Sequence, residues 1–215
     1  MKQCHKIREN RPIRVYHVTG RLGRSTETHF NDSPVTSRAS YDHIYIDKMN
    51  RLLTSMQASH QKKMYEMCGV DLQSQAAYEL AVQGPIRPAE SKTPLIYGMR
   101  CIDFKKEYFT IGKHNKSLVI KTNLIILLFL EMHAMNETEA YLGVLIHEIA
   151  LNLKTVGHCT QIRCIRQSHF TLEDSLVRRH WNLQSILGSI SISNNLLQKY
   201  PEMLKQLDSH LKEQE

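Results

Sequence analysis

The sequence contains no long apolar segment and no export signal. Its most apolar run, LIILLFL at Leu124–Leu130, is far shorter than the roughly 20 residues that cross a bilayer as a helix. The N-terminus, MKQCHKIRENRPIRVYH, has no apolar core of the kind that secretory signals carry. The 5 cysteines are an odd number without disulfide-framework spacing. We therefore predict reduced thiols, no membrane span and an intracellular protein.

The sequence also lacks the short motifs of the commonest enzymes. It has no GxxxxGK[ST], GxGxxG or GxSxG pattern and no paired carboxylates. A zinc-protease helix needs histidines at i and i+4, but His147 is followed at that spacing by Leu151. We predict no catalytic residue, no metal and no cofactor. A structural metal on His158, Cys159 and Cys164, an H-C-x4-C pattern, is left open.

The positive charge lies in the first third of the chain. Residues 1–65 hold 12 Lys or Arg against 5 Asp or Glu, whereas residues 66–215 hold 16 of each. A basic arm on a neutral body suits contact with a polyanion, most often nucleic acid. A solubilising tail or a dock for an acidic protein is the alternative. The candidate phosphate contacts in the arm are Arg8, Arg11, Arg14, Arg21 and Arg24.

Composition and periodicity divide the chain into four predicted segments. Residues 1–40 are polar and without periodicity, which predicts a disordered basic arm. Apolar side chains at three- and four-residue steps predict a helical segment over residues 41–83, in which one helix runs from near Ile46 to Gly69 and a second, shorter helix covers Leu72–Val82. Residues 84–112 are predicted to be a loop with short strands near 98–112. A helical domain is predicted over 113–215, so the expected fold class is mainly α.

The predicted helical domain has three main helices. The apolar stretch from Ser117 to about Met132 is taken as the first. The second begins at the polar cap Asn136–Glu139 and continues for nearly thirty residues to Arg163–Arg166. Thr171, with Asp174 three residues later, predicts the cap of the third helix.

This layout, over residues of about 113–188, resembles the histone fold. The segment NETEAYLGVLIHEIALNL looks like the start and middle of a histone central helix, and SHFTLEDSLV looks like the following loop and third helix. The resemblance implies pairing with a second copy or a relative. The implied interface is Leu142, Ile146, Ile149, Leu153, Val156, Leu172 and Leu176, and the implied DNA contacts are Lys113, Lys116, Arg163, Arg166, Arg178 and Arg179.

Two functions from different classes follow from these features. The first is a nuclear, non-enzymatic protein of chromatin, whose basic arm binds DNA phosphates and whose helical domain forms a dimer or binds a chromatin protein. The alternative is a protein–protein adaptor in a larger complex that does not touch nucleic acid. The Met-rich face of the helix near residues 49–67 favours the adaptor. Neither hypothesis includes a membrane or a small-molecule substrate.

Overall fold

The structure, a computed structural model, describes residues 2–88, 93–110 and 122–204. The chain forms an antiparallel sheet with helices packed on one of its faces. The helices are α1 (Lys2–Glu9), α2 (Ile46–Met67), α3 (Gln75–Val82), α4 (Glu139–Asn152) and α5 (Leu183–Lys199). The strands are β1 (Arg14–Leu22), β2 (Arg24–Thr26), β3 (Val35–Arg38), β4 (Leu95–Thr110), β5 (Thr122–Met135), β6 (Gly157–Gln167) and β7 (Phe170–Thr171).

The main sheet has the strand order β4-β5-β1-β6-β7. Strand β1 is central, because it pairs antiparallel with β5 on one side and with β6 on the other. A register shift between Val15 and Tyr16 leaves Ile165 of β6 without a partner residue. The short strands β2 and β3 form a separate hairpin. The first forty residues therefore supply the middle of the sheet.

The core lies between the sheet and two helices. In β5, Ile126, Leu128 and Leu130 are fully buried and alternate with residues on the other face, as the period of a strand requires. Helix α2 contributes Met49 and Leu53 to this core, and α4 contributes Leu142, Ile146 and Ile149. We call this side of the sheet the helix-covered face.

The opposite side carries charged and polar side chains. We call it the polar face and define it by Arg100 on β4, Glu131 on β5, His17 on β1 and Arg163 on β6, which are cross-strand neighbours in the sheet. The side chains of His17 and Arg100 are 48% and 71% exposed. One residue step along β1 therefore changes the environment from packed core to solvent.

The prediction of a mainly α protein is wrong. The run Leu124–Leu130 lies in β5, because a short continuous apolar run fits a buried strand as well as a buried helix. The long helix predicted from Glu137 to Arg163–Arg166 ends at Asn152, and Lys154 then takes a φ of 64° that breaks the helix. The residues that follow form β6, which is buried at its start and more exposed from Thr160 onward.

The prediction of a disordered N-terminal arm is also wrong, because this part of the chain contains a strand of the main sheet. Residues 14–22 form the central strand β1, in which Val15, Val18 and Leu22 are almost completely buried. Arg14 in this strand is half-buried and paired with Glu137 rather than part of a solvated tail. The predicted helix after Ile46 coincides with α2.

The division into four segments stays a prediction, although the sheet combines strands from three of the segments. No helix in residues 2–88, 93–110 or 122–204 has the length and apolarity that a membrane span needs.

Candidate active site

Three polar side chains meet at the end of the helix-covered face. Arg14 and Tyr16 are two residues apart on β1, so both project to the same side of the sheet. Glu137 follows β5 and precedes α4, whose N-cap is Thr138. The antiparallel pairing of β1 with β5 brings these distant parts of the sequence together.

The glutamate is tightly held through one of its oxygens. Glu137 Oε1 accepts a hydrogen bond from the Tyr16 hydroxyl at 2.5 Å and one from Arg14 Nη1 at 2.7 Å. Hydrogen bonds to a carboxylate are typically this short and are about twice as strong as neutral ones. The pair of donors therefore fixes the orientation of the carboxylate.

The other oxygen of the same carboxylate has no partner. The side chain of Glu137 is 1% exposed, and its Oε2 is buried without a hydrogen bond to any residue that the structure describes. Leaving such an acceptor unsatisfied costs about 1–3 kcal/mol. Asn136, the preceding residue, has a φ of 59°, a left-handed conformation that asparagine adopts more readily than most residues. An unpaired buried acceptor of this kind marks a candidate functional site.

The electrostatics keep the tyrosine protonated. Burial, together with the hydrogen bond to Glu137, raises the pKa of Tyr16. Cys164 is the cross-strand partner of Tyr16 on β6. The site thus presents a hydroxyl donor, a guanidinium and a carboxyl group with one unbonded, buried oxygen. Side chains of these types take part in proton transfer and in the hydrogen bonding of ligands.

Two histidines near the start of β6 are structural. The rings of His29 and His147 stack with their centroids 4.5 Å apart, and His147 Nδ1 lies 3.0 Å from the carbonyl oxygen of Gly157. Burial lowers the pKa of His29, and the neighbouring His147 lowers it further. These contacts join α4 to the loop after β2 and to β6.

The open alternative of a metal on His158, Cys159 and Cys164 gains no support. Within the described residues, no three His, Cys, Asp or Glu side chains form a group that could hold a metal ion. His158 and Cys159 are buried, whereas Cys164 is exposed. His158 Nδ1 instead lies 2.9 Å from the carbonyl oxygen of Arg24.

The structure separates most of the predicted nucleic-acid contacts. Arg14 lies in the candidate active site, and Arg21 and Arg24 are near His158. The remaining positions are Arg8 in α1, Arg11 between α1 and β1, Arg163 and Arg166 on β6, Arg178 and Arg179 in a 3-10 turn, and Lys113 and Lys116 outside the described residues. Arg163 and Arg166 share the polar face, and their role in nucleic-acid binding stays a prediction.

The predicted partner interface has a different environment. Leu142, Ile146, Ile149 and Leu153 are at most 1% exposed and pack in the core of this chain. Val156, Leu172 and Leu176 are half-buried. The apolar stripe of α4 is therefore accounted for by the sheet that it covers, without a histone-type partner.

Sequence reasoning named Arg14 only as a phosphate contact and missed Tyr16 and Glu137 as residues of the site. Tyr16 lies in a segment that was taken as disordered, and Glu137 was given only the role of an acidic residue at a helix start. The segment RVYHVTGRL gave no clear signal of a strand, because its apolar residues Val15, Val18 and Leu22 are three and four positions apart rather than two.

Comparison with known proteins places this fold in a class of enzymes, the pseudouridylate synthases. Residues 2–117 match the model of the TruB family pseudouridylate synthase N-terminal domain, which is more than half of the chain. The chain belongs to the TruB family.

Curated relatives agree with this assignment. Pseudouridylate synthase TRUB2, mitochondrial, of Xenopus tropicalis is 39% identical over 177 residues, which cover 82% of this chain and 49% of the relative. The proteins of the same name from Mus musculus and Homo sapiens are 38% and 37% identical over 175 residues, covering 81% of this chain and 47% of each relative. The chain spans about half the length of the curated relatives that it matches.

These findings overturn the functional predictions from sequence. The family is not a histone-fold family, so the resemblance and its chromatin and DNA partners are wrong. Membership in an enzyme family contradicts both the non-enzymatic chromatin protein and the adaptor, as well as the expectation that the chain is not an enzyme and has no small-molecule substrate. The relatives are named mitochondrial, which contradicts a nuclear location.

Proposed function

We propose that this chain takes part in the conversion of uridine to pseudouridine in RNA, with Glu137 and Tyr16 at the reaction site. The observation that supports this most directly is the buried carboxylate of Glu137, which keeps one oxygen unbonded in a chain of the TruB family. The names of the relatives supply the reaction, and the geometry supplies the groups that could carry part of it.

The chemistry of the conversion defines what the site has to do. The bond between N1 of uracil and C1′ of the ribose breaks, and a bond between C5 and C1′ forms. The hydrogen on C5 leaves as a proton and N1 gains one, so the base is reattached without a net change in atoms. An enzyme that acts on a base in RNA takes the base out of its stack into a pocket.

The three side chains can divide this work. In this proposal the groups that bury Oε2 of Glu137 move aside when RNA binds, and Oε2 then accepts the proton from C5 while Arg14 and Tyr16 hold Oε1. Tyr16 keeps its proton because its pKa is raised, so it acts as a hydrogen-bond donor rather than as a base. A positioned general base contributes about 10²–10⁴-fold to a rate.

The test is the release of tritium from RNA that carries [5-³H]uridine, measured with the whole chain. We expect E137Q to lower the rate by about 100-fold or more, and Y16F to lower it less, because Arg14 still holds the carboxylate. E79Q, which changes an exposed glutamate on α3, is the matched control and should keep the rate of the unsubstituted chain. Absence of tritium release from the unsubstituted chain, or full activity in E137Q, would contradict the proposal.

We also propose the mitochondrion as the compartment, because the relatives carry that location in their names. Fractionation of cells that express the tagged chain, with matrix and nuclear marker proteins, tests it. Recovery of the chain with the nuclear marker would contradict it.

A further inference from the structure

The polar face carries a ladder of four side chains from four neighbouring strands. Glu131 pairs in register with Arg100 on one side and with His17 on the other, and His17 pairs with Arg163. Neighbouring strands are about 4.8 Å apart, so the ladder extends across roughly 14 Å of the sheet. Its four residues come from four strands that are far apart in the sequence.

Glu131 organises the ladder. Its Oε2 accepts a hydrogen bond from Arg100 Nη2 at 2.9 Å and lies 3.5 Å from His17 Nε2, while its Oε1 lies 3.1 Å from His133 Nε2. The hydrogen bond from Arg100, supported by His133, holds the pKa of this carboxyl at about 2. The carboxylate is therefore ionised at neutral pH and neutralises the charge of Arg100.

Two arginines at the β6 end of this face have no such partner. Within the described part of the chain, neither Arg163 nor Arg166 makes an ion pair, and both are exposed. Arg166 and Arg100 also line a cavity of about 680 Å³ together with Glu131 and His133. With the histidines uncharged, the three arginines and Glu131 leave this patch with a net charge of +2, which suits a polyanion.

Strand β6 connects this patch to the candidate active site. Cys164 pairs with Tyr16 and faces the site, whereas Arg163 pairs with His17 and faces the other way. Strand β7 pairs only with Arg166 and Gln167, so no described strand pairs with the outer edge of β6 between Thr160 and Ile165. A nucleic-acid strand that passes over this edge can contact both faces of the sheet.

We propose that the polar face is a second RNA-binding surface, in which Arg163 and Arg166 contact phosphates of the strand that flanks the reacting nucleotide. Glu131 holds Arg100 at the far end of the ladder and repels the phosphate backbone of the RNA there. The RNA strand is therefore kept near β6. This inference rests on the proposed function, since it takes RNA as the polyanion. It adds a place of contact outside the site around Glu137.

Binding of a fluorescein-labelled RNA stem-loop to the whole chain, measured by anisotropy over a series of salt concentrations, tests the inference. We expect R163Q/R166Q to weaken binding about tenfold at 0.1 M salt. The slope of log affinity against log salt should become about 1.5 units less steep, since each phosphate contact contributes about 0.7–0.9. K62Q/K63Q removes the same charge from the surface of α2 and should change both quantities much less. E131Q should tighten binding about threefold, because it removes a charge that repels phosphate.

The outcomes separate the inference from the function on which it rests. If the unsubstituted chain binds RNA and releases tritium while R163Q/R166Q binds RNA equally well, the second surface is wrong and the proposed function stands. If the unsubstituted chain binds no RNA, both are wrong. Weaker binding by E131Q contradicts the arrangement of the ladder. Displacement of the RNA by polyglutamate of equal charge at equal concentration would show that the surface prefers an acidic protein segment.

Discussion

Two glutamates six residues apart have opposite environments. Glu131 lies on the polar face with three hydrogen-bond or ion-pair partners, and Glu137 lies at the helix-covered face with one oxygen buried and unbonded. The first arrangement lowers the free energy of the folded state through its charged hydrogen bonds. The second costs free energy and is retained where it can serve chemistry. The sequence shows both simply as Glu near the end of an apolar run.

The pKa of Glu131 predicts a loss of stability in acid. Its folded-state pKa of about 2 is below the ordinary value of about 4.3, so its contribution is complete above pH 5 and is lost as the pH falls towards 2. Arg100 is largely exposed, so solvent screening limits the contribution to about 1 kcal/mol. About half of the contribution is lost by pH 3, so between pH 6 and pH 3 the free energy of unfolding in urea should fall by about 0.5 kcal/mol more for the unsubstituted chain than for E131Q.

Two comparisons make this measurement decisive. E79Q changes an exposed glutamate and should follow the unsubstituted chain at both pH values. An E131Q variant that loses as much stability as the unsubstituted chain would show that Glu131 contributes nothing in this range.

At the scale of elements, α4 is fitted to its surroundings by glycine. Gly143 lies in the interior of α4, where glycine costs about 1 kcal/mol relative to alanine. A Cβ at this position would lie 2.8 Å from two ring carbons of Phe30 in the loop after β2. The residue that departs from the helix pattern therefore permits close approach of another part of the chain.

G143A should lower the free energy of unfolding despite its better helix propensity. The cost of overpacking, about 1–3 kcal/mol, exceeds the gain of about 1 kcal/mol, and we expect a net loss of about 1 kcal/mol. In an F30L background the same substitution should cost less, which urea unfolding of the four proteins of this double-mutant cycle measures. G188A is the control: Gly188 lies in α5 with nothing within 4 Å of its added Cβ, so this variant should be more stable. A stabilising G143A would contradict the packing argument.

At the scale of the whole molecule, the N-terminal residues determine whether a sheet exists. Strand β1 separates β5 from β6 and pairs with each of them over at least eight residues. Its Val18 and Leu22 are buried in the core with Ile146. Without β1, the polar backbone groups of two strands and the apolar face of α4 would be exposed.

Deletion of residues 1–40 should therefore prevent folding rather than remove a charged tail. We expect residues 41–215 to show no cooperative thermal unfolding by circular dichroism and no dispersed amide spectrum, whereas the full chain shows both. A truncated chain that unfolds cooperatively at the temperature of the full chain would mean that β1 is dispensable to the sheet.

Some of this organisation was determined by the sequence alone. The three- and four-residue spacing of apolar side chains predicts α2, which the structure places at Ile46–Met67. The stripe Leu142, Ile146 and Ile149 is the buried face of a helix in both prediction and structure. Periodicity along a helix is a local property, so the sequence is sufficient to show it.

The tertiary structure alone decided what those faces pack against and which polar groups meet. The run Leu124–Leu130 is a strand because β1 and β4 pair with it on both sides, and no residue within the run carries that information. Tyr16 and Glu137 form a hydrogen bond although 121 positions separate them in sequence. Strand pairing joins residues whose separation in sequence is arbitrary, whereas a sequence pattern reports only near neighbours. The burial of the helices could therefore be predicted from the sequence, but the sheet, the polar face and the candidate active site could not.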